Sequence, residues 1–270
     1  MPAIELPKSM QRLARRAYES LALRRPAGED LIPPARLHTV GDTDFRATGD
    51  EFFGLFRELV GLRPDDRVLD VGCGIGRIAR PLTGYLNDEG SYDGFDVAEI
   101  AIKWCSRNYT PRHPNFHFRH VAVANGSYNP SGAQPAETFV FPYENASFDF
   151  VFLTSVFTHM MPAEVQRYAG EIERVLAPGG RCLSTFFLLN DASRALIGAG
   201  RSTQPFHDVV PPYAIVDPEN PEAAVAYEEQ WAMETLTAAG LTPRRPPNYG
   251  SWPGRETFTS YQDIVISDKG

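Results

Sequence analysis

From Arg67 onward, short runs rich in branched and aromatic residues alternate with stretches of helical periodicity, and no other feature constrains the fold as much. The runs RVLDV (67–71), SYDGFD (91–96), FHFRHV (116–121), FDFVFL (148–153) and RCLSTFFLL (181–189) read as strands. Residues 77–86, 98–108 and 163–176 read as helices, the last stopped by Pro178-Gly179-Gly180. A helix between consecutive strands is the connection that a parallel pair needs, so the expected class is α/β, a mostly parallel sheet with helices on both faces. The pattern lapses after Leu189 in a stretch rich in Pro, Gly and Ala. It resumes with a helix near 224–239 and strands around 242–247 and 260–267.

Upstream, KSMQRLARRAYESLALRR (8–25) has helical spacing of its apolar residues and reads as an amphipathic helix, followed by a Pro-interrupted linker. A second helix is expected from about Asp50, with Phe52, Phe53, Leu55, Phe56 and Leu59 on its apolar face. The chain divides into an arm and linker (1–44) and one domain (45–270) carrying an insertion at about 190–225. With 43% hydrophobic and 22% charged residues, the chain can bury a substantial core. Its net charge of −8 disfavours a broad phosphate-binding surface, and DNA is not an expected partner. Cys73, Cys105 and Cys182 stand too far apart for a disulfide framework or a structural zinc site. Residues 1–36 hold seven basic and four acidic groups without a long apolar run, and a cytoplasmic protein is expected.

The most informative segment is the first strand running through Asp70, Gly72, Gly74 and Gly76 into Arg77. In an open parallel sheet the ligand crevice lies at the carboxyl ends of the strands, beside the first one, and glycines there let backbone N–H groups approach a ligand. A dinucleotide fingerprint beginning at Gly72 requires a small residue where Arg77 stands, which weakens a nicotinamide reading. An acid two residues before the first glycine is costly when buried unless it accepts hydrogen bonds or faces a cation. Asp96, at the end of the second strand, is placed to accept ribose hydroxyls, or to cap the next helix.

These segments resemble the class I S-adenosylmethionine-dependent methyltransferases of the small-molecule acceptor type. VLDVGCGIGR is similar to the family's first motif and GFDVAEIAI to its second; FPYENASFDFVFLTSVFTHM and EIERVLAPGGRCL resemble its fourth strand and the approach to its fifth. The resemblance implies a Rossmann-like seven-stranded sheet in which YQDIVISDK is an antiparallel last strand beside the fifth. It also implies S-adenosyl-L-methionine held by Asp70, Gly72, Gly74, Gly76, Asp96 and Thr154, with Arg46 and Gly49 of DFRATGDEFF near its methionine end. Many relatives carry an acid soon after the third strand for the adenine amino group, and His120–Asn125 has none. Backbone groups, Asn125, or apolar contact with Val97 and Val123 remain as means of holding adenine.

A hydroxyl acceptor must also lose a proton, which calls for a base or a metal. His159 follows the fourth strand and is the candidate base; a His that orders the loop or touches the cofactor is the alternative. The other histidines have no spacing that argues metal or catalysis, and a divalent ion such as Mg2+ is left open. The fourth-strand loop reads Leu153-Thr-Ser-Val156, without the Pro-Pro-Tyr tetrad of base N-methyltransferases. Tyr128, Tyr143, Phe206, Tyr213, Tyr249 and Trp252 lie in segments outside the core and suit a hydroxylated ligand such as a saccharide or natural product, or pack onto the core. The expected activity is methyl transfer to a hydroxyl. N-methylation, nicotinamide chemistry and a non-catalytic cofactor-binding partner protein are the rivals, and a homo-oligomer is left open.

Overall fold

A computed structural model describes residues 30–37, 44–206 and 208–270. The amphipathic stretch 8–25, His38 and His207 lie outside the described residues. In chain order come α1 (Phe45–Leu55), β1 (Arg67–Val71), α2 (Ala79–Leu82), β2 (Ser91–Asp96), α3 (Glu99–Asn108), β3 (Phe116–His120) and β4 (Phe148–Leu153). There follow α4 (Pro162–Val175), β5 (Leu176–Phe186), β6 (Leu188–Leu189), α5 (Asp191–Gly198), β7 (Asp208–Val210) and β8 (Tyr213–Ile215). The chain closes with β9 (Val225–Glu228), α6 (Glu229–Ala238), β10 (Leu241–Pro243) and β11 (Asp263–Lys269).

Seven strands form the main sheet in the order β10-β11-β5-β4-β1-β2-β3. The pairs β1·β2, β2·β3, β1·β4 and β4·β5 are parallel, while β11 runs antiparallel to both β5 and β10. The chain therefore walks outward from β1 to β3 and returns to β4 on the other side of β1. That reversal opens a crevice at the carboxyl ends of β1 and β4.

Strand residues alternate between the sheet's two faces because successive side chains point oppositely. Leu69, Val151, Leu153 and Val265 join one core with residues of α4 and α6. Val68, Phe150, Phe152 and Ile264 join the other with residues of α1 and α3. Phe56, fully buried just past α1, places its ring centroid 5.0 Å from that of Phe150 and 4.6 Å from that of Phe152. Each such buried ring stabilises the fold by about 1.5–3 kcal/mol, so α1 is clamped over the β1/β4 end of the sheet.

Four elements depart from the sequence reading. The helix expected from about Asp50 begins at Phe45, where the Asp44 side chain caps it by accepting the N–H of Ala47 at 2.7 Å. The helix expected over 77–86 shrinks to Ala79–Leu82, since Pro81 donates no N–H and Gly84 follows. The strand expected over 181–189 divides at Phe187: β5 pairs with β11, and β6 pairs with β9. The helix expected near 224–239 starts only at Glu229, because 225–228 is drawn into a strand. The segment in which the pattern lapses is structured: β6, β9, β8 and β7 form a second, four-stranded sheet. Phe187, Leu189, Phe206, Ala226 and Trp252 make a separate core there. Among the described residues, no helix is long and apolar enough to cross a membrane.

Candidate functional site

Two cavities meet at the carboxyl ends of β1 and β4, and Gly72, Gly74, Thr154 and Ser155 line both. Gly72 has φ +79° and donates its N–H to the Phe95 carbonyl at 2.9 Å, which ties the end of β1 to the end of β2. An added Cβ there would stand 2.6 Å from Cγ2 of Val156, so no other residue fits. Gly74, at φ +52°, has no atom within 4 Å of an added Cβ, so open space borders it on the cavity side.

Beneath this turn lies Asp70, only 2% exposed, on the wall of the cavity that α1 covers. Its Oδ2 accepts the Tyr92 hydroxyl at 2.7 Å, and its Oδ1 is buried with no hydrogen-bond partner. Burial pushes its pKa up to about 8; the Tyr92 hydrogen bond opposes that rise and the charge of Asp96 adds to it. A half-satisfied buried carboxylate is unstable as an ion until a cation faces it. Phe45, Thr48, Phe52 and Arg77 line the same cavity.

The other cavity runs along β2 and the loop after β3. Asp96 marks its start, with Oδ2 accepting the Gly74 N–H and Oδ1 the Ala98 N–H, both at 2.7 Å. The carboxylate is thereby fixed toward the cavity, and each oxygen keeps a second lone pair for a ligand hydroxyl. Val97, Val123, Asn125 and Thr154 all stand on this wall. The Asn125 side chain is already committed to the loop. Its Oδ1 accepts the N–H groups of Ser127 and Tyr128 at 3.1 and 2.9 Å, and its Nδ2 donates to the His159 carbonyl at 3.1 Å.

His159 also lines this cavity, in a short helical turn after β4. Its Nδ1 stands 2.9 Å from the backbone carbonyl of Glu222, an acceptor only, so Nδ1 carries the proton and Nε2 presents its lone pair. The Tyr128 hydroxyl lies 3.5 Å from Nε2. Burial lowers the imidazole pKa, partly offset by the Glu222 and Ala223 backbone, and the ring is neutral near pH 7. Glu222 belongs to the insertion, and its carboxylate also accepts the Gly126 N–H. His159 thus joins the insertion to the loop after β3.

Residues 69–184 match the protein-family model of the methyltransferase domain. The match runs from within β1 through β4 and takes in most of β5, less than half of the chain. Sterol 24-C-methyltransferase of Schizosaccharomyces pombe is 31% identical over 121 residues, 45% of this chain and 28% of that protein. Nocamycin O-methyltransferase of Saccharothrix syringae is 33% identical over 143 residues, 51% of this chain and 45% of that protein. The chain thus spans less than half the length of either curated relative. A Burkholderia thailandensis 1,6-didemethyltoxoflavin-N1-methyltransferase, solved with its acceptor and S-adenosylhomocysteine, superposes with a TM-score of 0.53 at 16% identity, over all of this chain and 92% of that one. By name the three methylate carbon, oxygen and nitrogen, so the fold does not choose the acceptor atom.

Some residues singled out from the sequence stand off the cavity walls. An added Cβ on Gly49 would lie 2.5 Å from the Arg77 carbonyl oxygen, so this glycine lets α1 pack on the glycine turn. Arg46 pairs with Asp30 on the exposed side of α1. Phe45, Thr48 and Phe52 face the cavity instead. Gly76 lies against Cys105 and Tyr109 of the α3 region and accepts the Tyr109 hydroxyl at 2.8 Å. Of the aromatic residues outside the core, Phe206 and Trp252 are buried in the second core, whereas Tyr128 lines the cavity. Glu164 and Tyr168 of α4 also line it and were not anticipated. Their only sequence signal is an acid at the third helical position, which reads as a cap. Among the described residues, no group of three or more His, Cys, Asp or Glu is arranged to hold a metal ion.

Proposed function

We propose that the protein binds S-adenosyl-L-methionine and transfers its methyl group to a hydroxyl of a small molecule, a saccharide or a hydroxylated natural product. The observation that carries this reading is the unpartnered, buried Oδ1 of Asp70 on the wall of a cavity that Gly72 and Gly74 also line. A cationic amino group is the partner that such a carboxylate lacks, and the methionine end of the cofactor has one. Asp96 would accept the ribose hydroxyls, Val97 and Val123 would flank the adenine, and the backbone at Gly72, Gly74 and Thr154 would border the sulfur.

When bound, the cofactor supplies a methyl group on a sulfonium, already a good leaving group. The protein must then chiefly align the acceptor, which is catalysis by proximity and orientation. His159 would take the acceptor proton at Nε2. Its Nδ1–H is held by the Glu222 carbonyl, which fixes the tautomer, and its lowered pKa keeps Nε2 free of a proton at neutral pH. The nocamycin O-methyltransferase relative supports the oxygen acceptor.

The test is a screen of hydroxylated acceptors with labelled S-adenosylmethionine, with and without chelator. Turnover of a hydroxyl acceptor is expected, and His159→Ala should lower kcat by roughly 10²–10⁴-fold. Full activity of His159→Ala on a hydroxyl acceptor, or turnover of amines alone, would overturn the assignment.

A further inference from the structure

One acid on the cavity wall has no part in the chemistry above. Glu164 stands at the third position of α4, and its Oε2 accepts the Met161 N–H at 2.6 Å. Among the described residues its Oε1 has no hydrogen-bond partner, and Glu164 lines a cavity whose wall is mostly apolar, with Val123, Ala136 and Met160. Burial, with the charges of Glu222 and Glu137 nearby, pushes its pKa up to about 7. Partial burial penalises the ionised carboxylate, which favours a ligand that brings a donor to Oε1.

The place of Glu164 along the cavity indicates which donor. Asp96 stands at the entrance shared with the glycine turn, and Tyr168, one turn beyond Glu164 on α4, feels the charges of both acids. A nucleoside with its ribose at Asp96 and its base between Val97 and Val123 carries its exocyclic amine on the far side of the base. Of the other polar side chains there, Asn125 is held by its own loop and by the His159 backbone, and His159 Nδ1 by Glu222. Residues 120–125, directly after β3, hold no acid, and Glu137 farther along that loop is exposed and off the cavity wall.

We propose that Glu164 accepts a hydrogen bond from the 6-amino group of adenine, so that the helix after the fourth strand supplies the acid missing after the third. This rests on the S-adenosylmethionine reading, and it assigns Glu164 to base recognition. An adenine ring is thereby distinguished from a 6-oxo or unsubstituted purine, which gives that carboxylate no amine.

Calorimetric titration tests it, with S-adenosylhomocysteine and the analogue in which hydrogen replaces the 6-amino group. The wild type should prefer S-adenosylhomocysteine by roughly tenfold or more, the worth of a hydrogen bond to a charged acceptor. In Glu164→Ala the preference should shrink to within about twofold, because the lost helix cap weakens both ligands alike. Glu164→Gln retains an oxygen for the cap and serves if the alanine variant does not fold; the loss of charge should reduce the preference several-fold. A wild type that binds both ligands equally, or variants that keep the wild-type preference, would overturn the role of Glu164. A wild type that binds neither ligand would overturn the cofactor reading as well.

Discussion

Two buried aspartates at the same end of the sheet do opposite things. Asp263, at the start of β11, is fully buried and accepts four donors: the N–H groups of Leu188 and Gly250, both at 2.8 Å, Trp252 Nε1 at 2.6 Å and Arg255 Nη1 at 3.0 Å. Asp70, at the end of β1, accepts the Tyr92 hydroxyl and leaves one oxygen bare. Burial raises the pKa of both. Both oxygens of Asp263 are occupied twice over, and its partner Trp252 joins the second sheet's core to the main sheet. The region around Asp70 has kept one oxygen open at a cavity wall. A satisfied buried charge is structure, whereas an unsatisfied one beside a cavity indicates where a ligand of opposite charge belongs.

The largest expected effect lies at Asp263. Asp263→Ala strands Arg255, whose side chain is 12% exposed, and leaves three further donors unpaired. It should cost about 3–5 kcal/mol of stability, read by denaturant unfolding. A loss below about 1 kcal/mol would break the contrast from that side.

Asp70→Asn should do the reverse. The amide oxygen keeps the Tyr92 hydrogen bond, so unfolding of the free protein should be unchanged or slightly harder. Affinity for S-adenosylhomocysteine should fall roughly tenfold to a hundredfold. The pH dependence follows from the sign of the shift. With a folded pKa raised from 3.8 to about 8, Asp70 is protonated at neutral pH in the free protein and must ionise to face a cation. Affinity should therefore rise between pH 6 and 8, by up to about tenfold per unit, and level off above 8. In the free protein this group's contribution to stability is fully present below about pH 4 and declines as pH rises toward 8. Asp70→Asn should flatten the affinity profile, and an unaltered profile in that variant would assign the titration elsewhere.

The smallest effect belongs to Tyr128→Phe. Its hydroxyl stands 3.5 Å from His159 Nε2, at the limit of a hydrogen bond, while its ring packs edge-on with the imidazole at 5.3 Å. Because phenylalanine keeps the ring, kcat on a hydroxyl acceptor should change by less than about twofold. A larger drop would move the proton-accepting role from His159 toward the pair.

The same division explains what could be read from the chain. The glycine turn, Asp70, Asp96, Val97, Val123, Asn125, Thr154 and His159 are legible in the sequence and stand on the two cavity walls, Gly76 excepted, whereas Arg46 and Gly49 stand off them. Those on the walls were legible because each answers a local demand: a positive φ, a strand that ends, a loop that follows. Glu164 was not, because a carboxylate at the third position of a helix looks the same whether it caps the helix or also faces a cavity. Residues 225–228 are a strand only because β6 and β8 pair with them. The aromatic residues of the insertion show the same limit: Trp252 would suit a ligand surface by type and is placed in a core by its partners Phe187 and Phe206.

Whether the half-satisfied crevice at β1 and β4 takes S-adenosylmethionine, as proposed, is read by calorimetry on the whole chain with S-adenosylhomocysteine and, separately, NADH. One equivalent of S-adenosylhomocysteine should bind and NADH should give no heat of binding. Binding of NADH with silence toward S-adenosylhomocysteine would contradict the account.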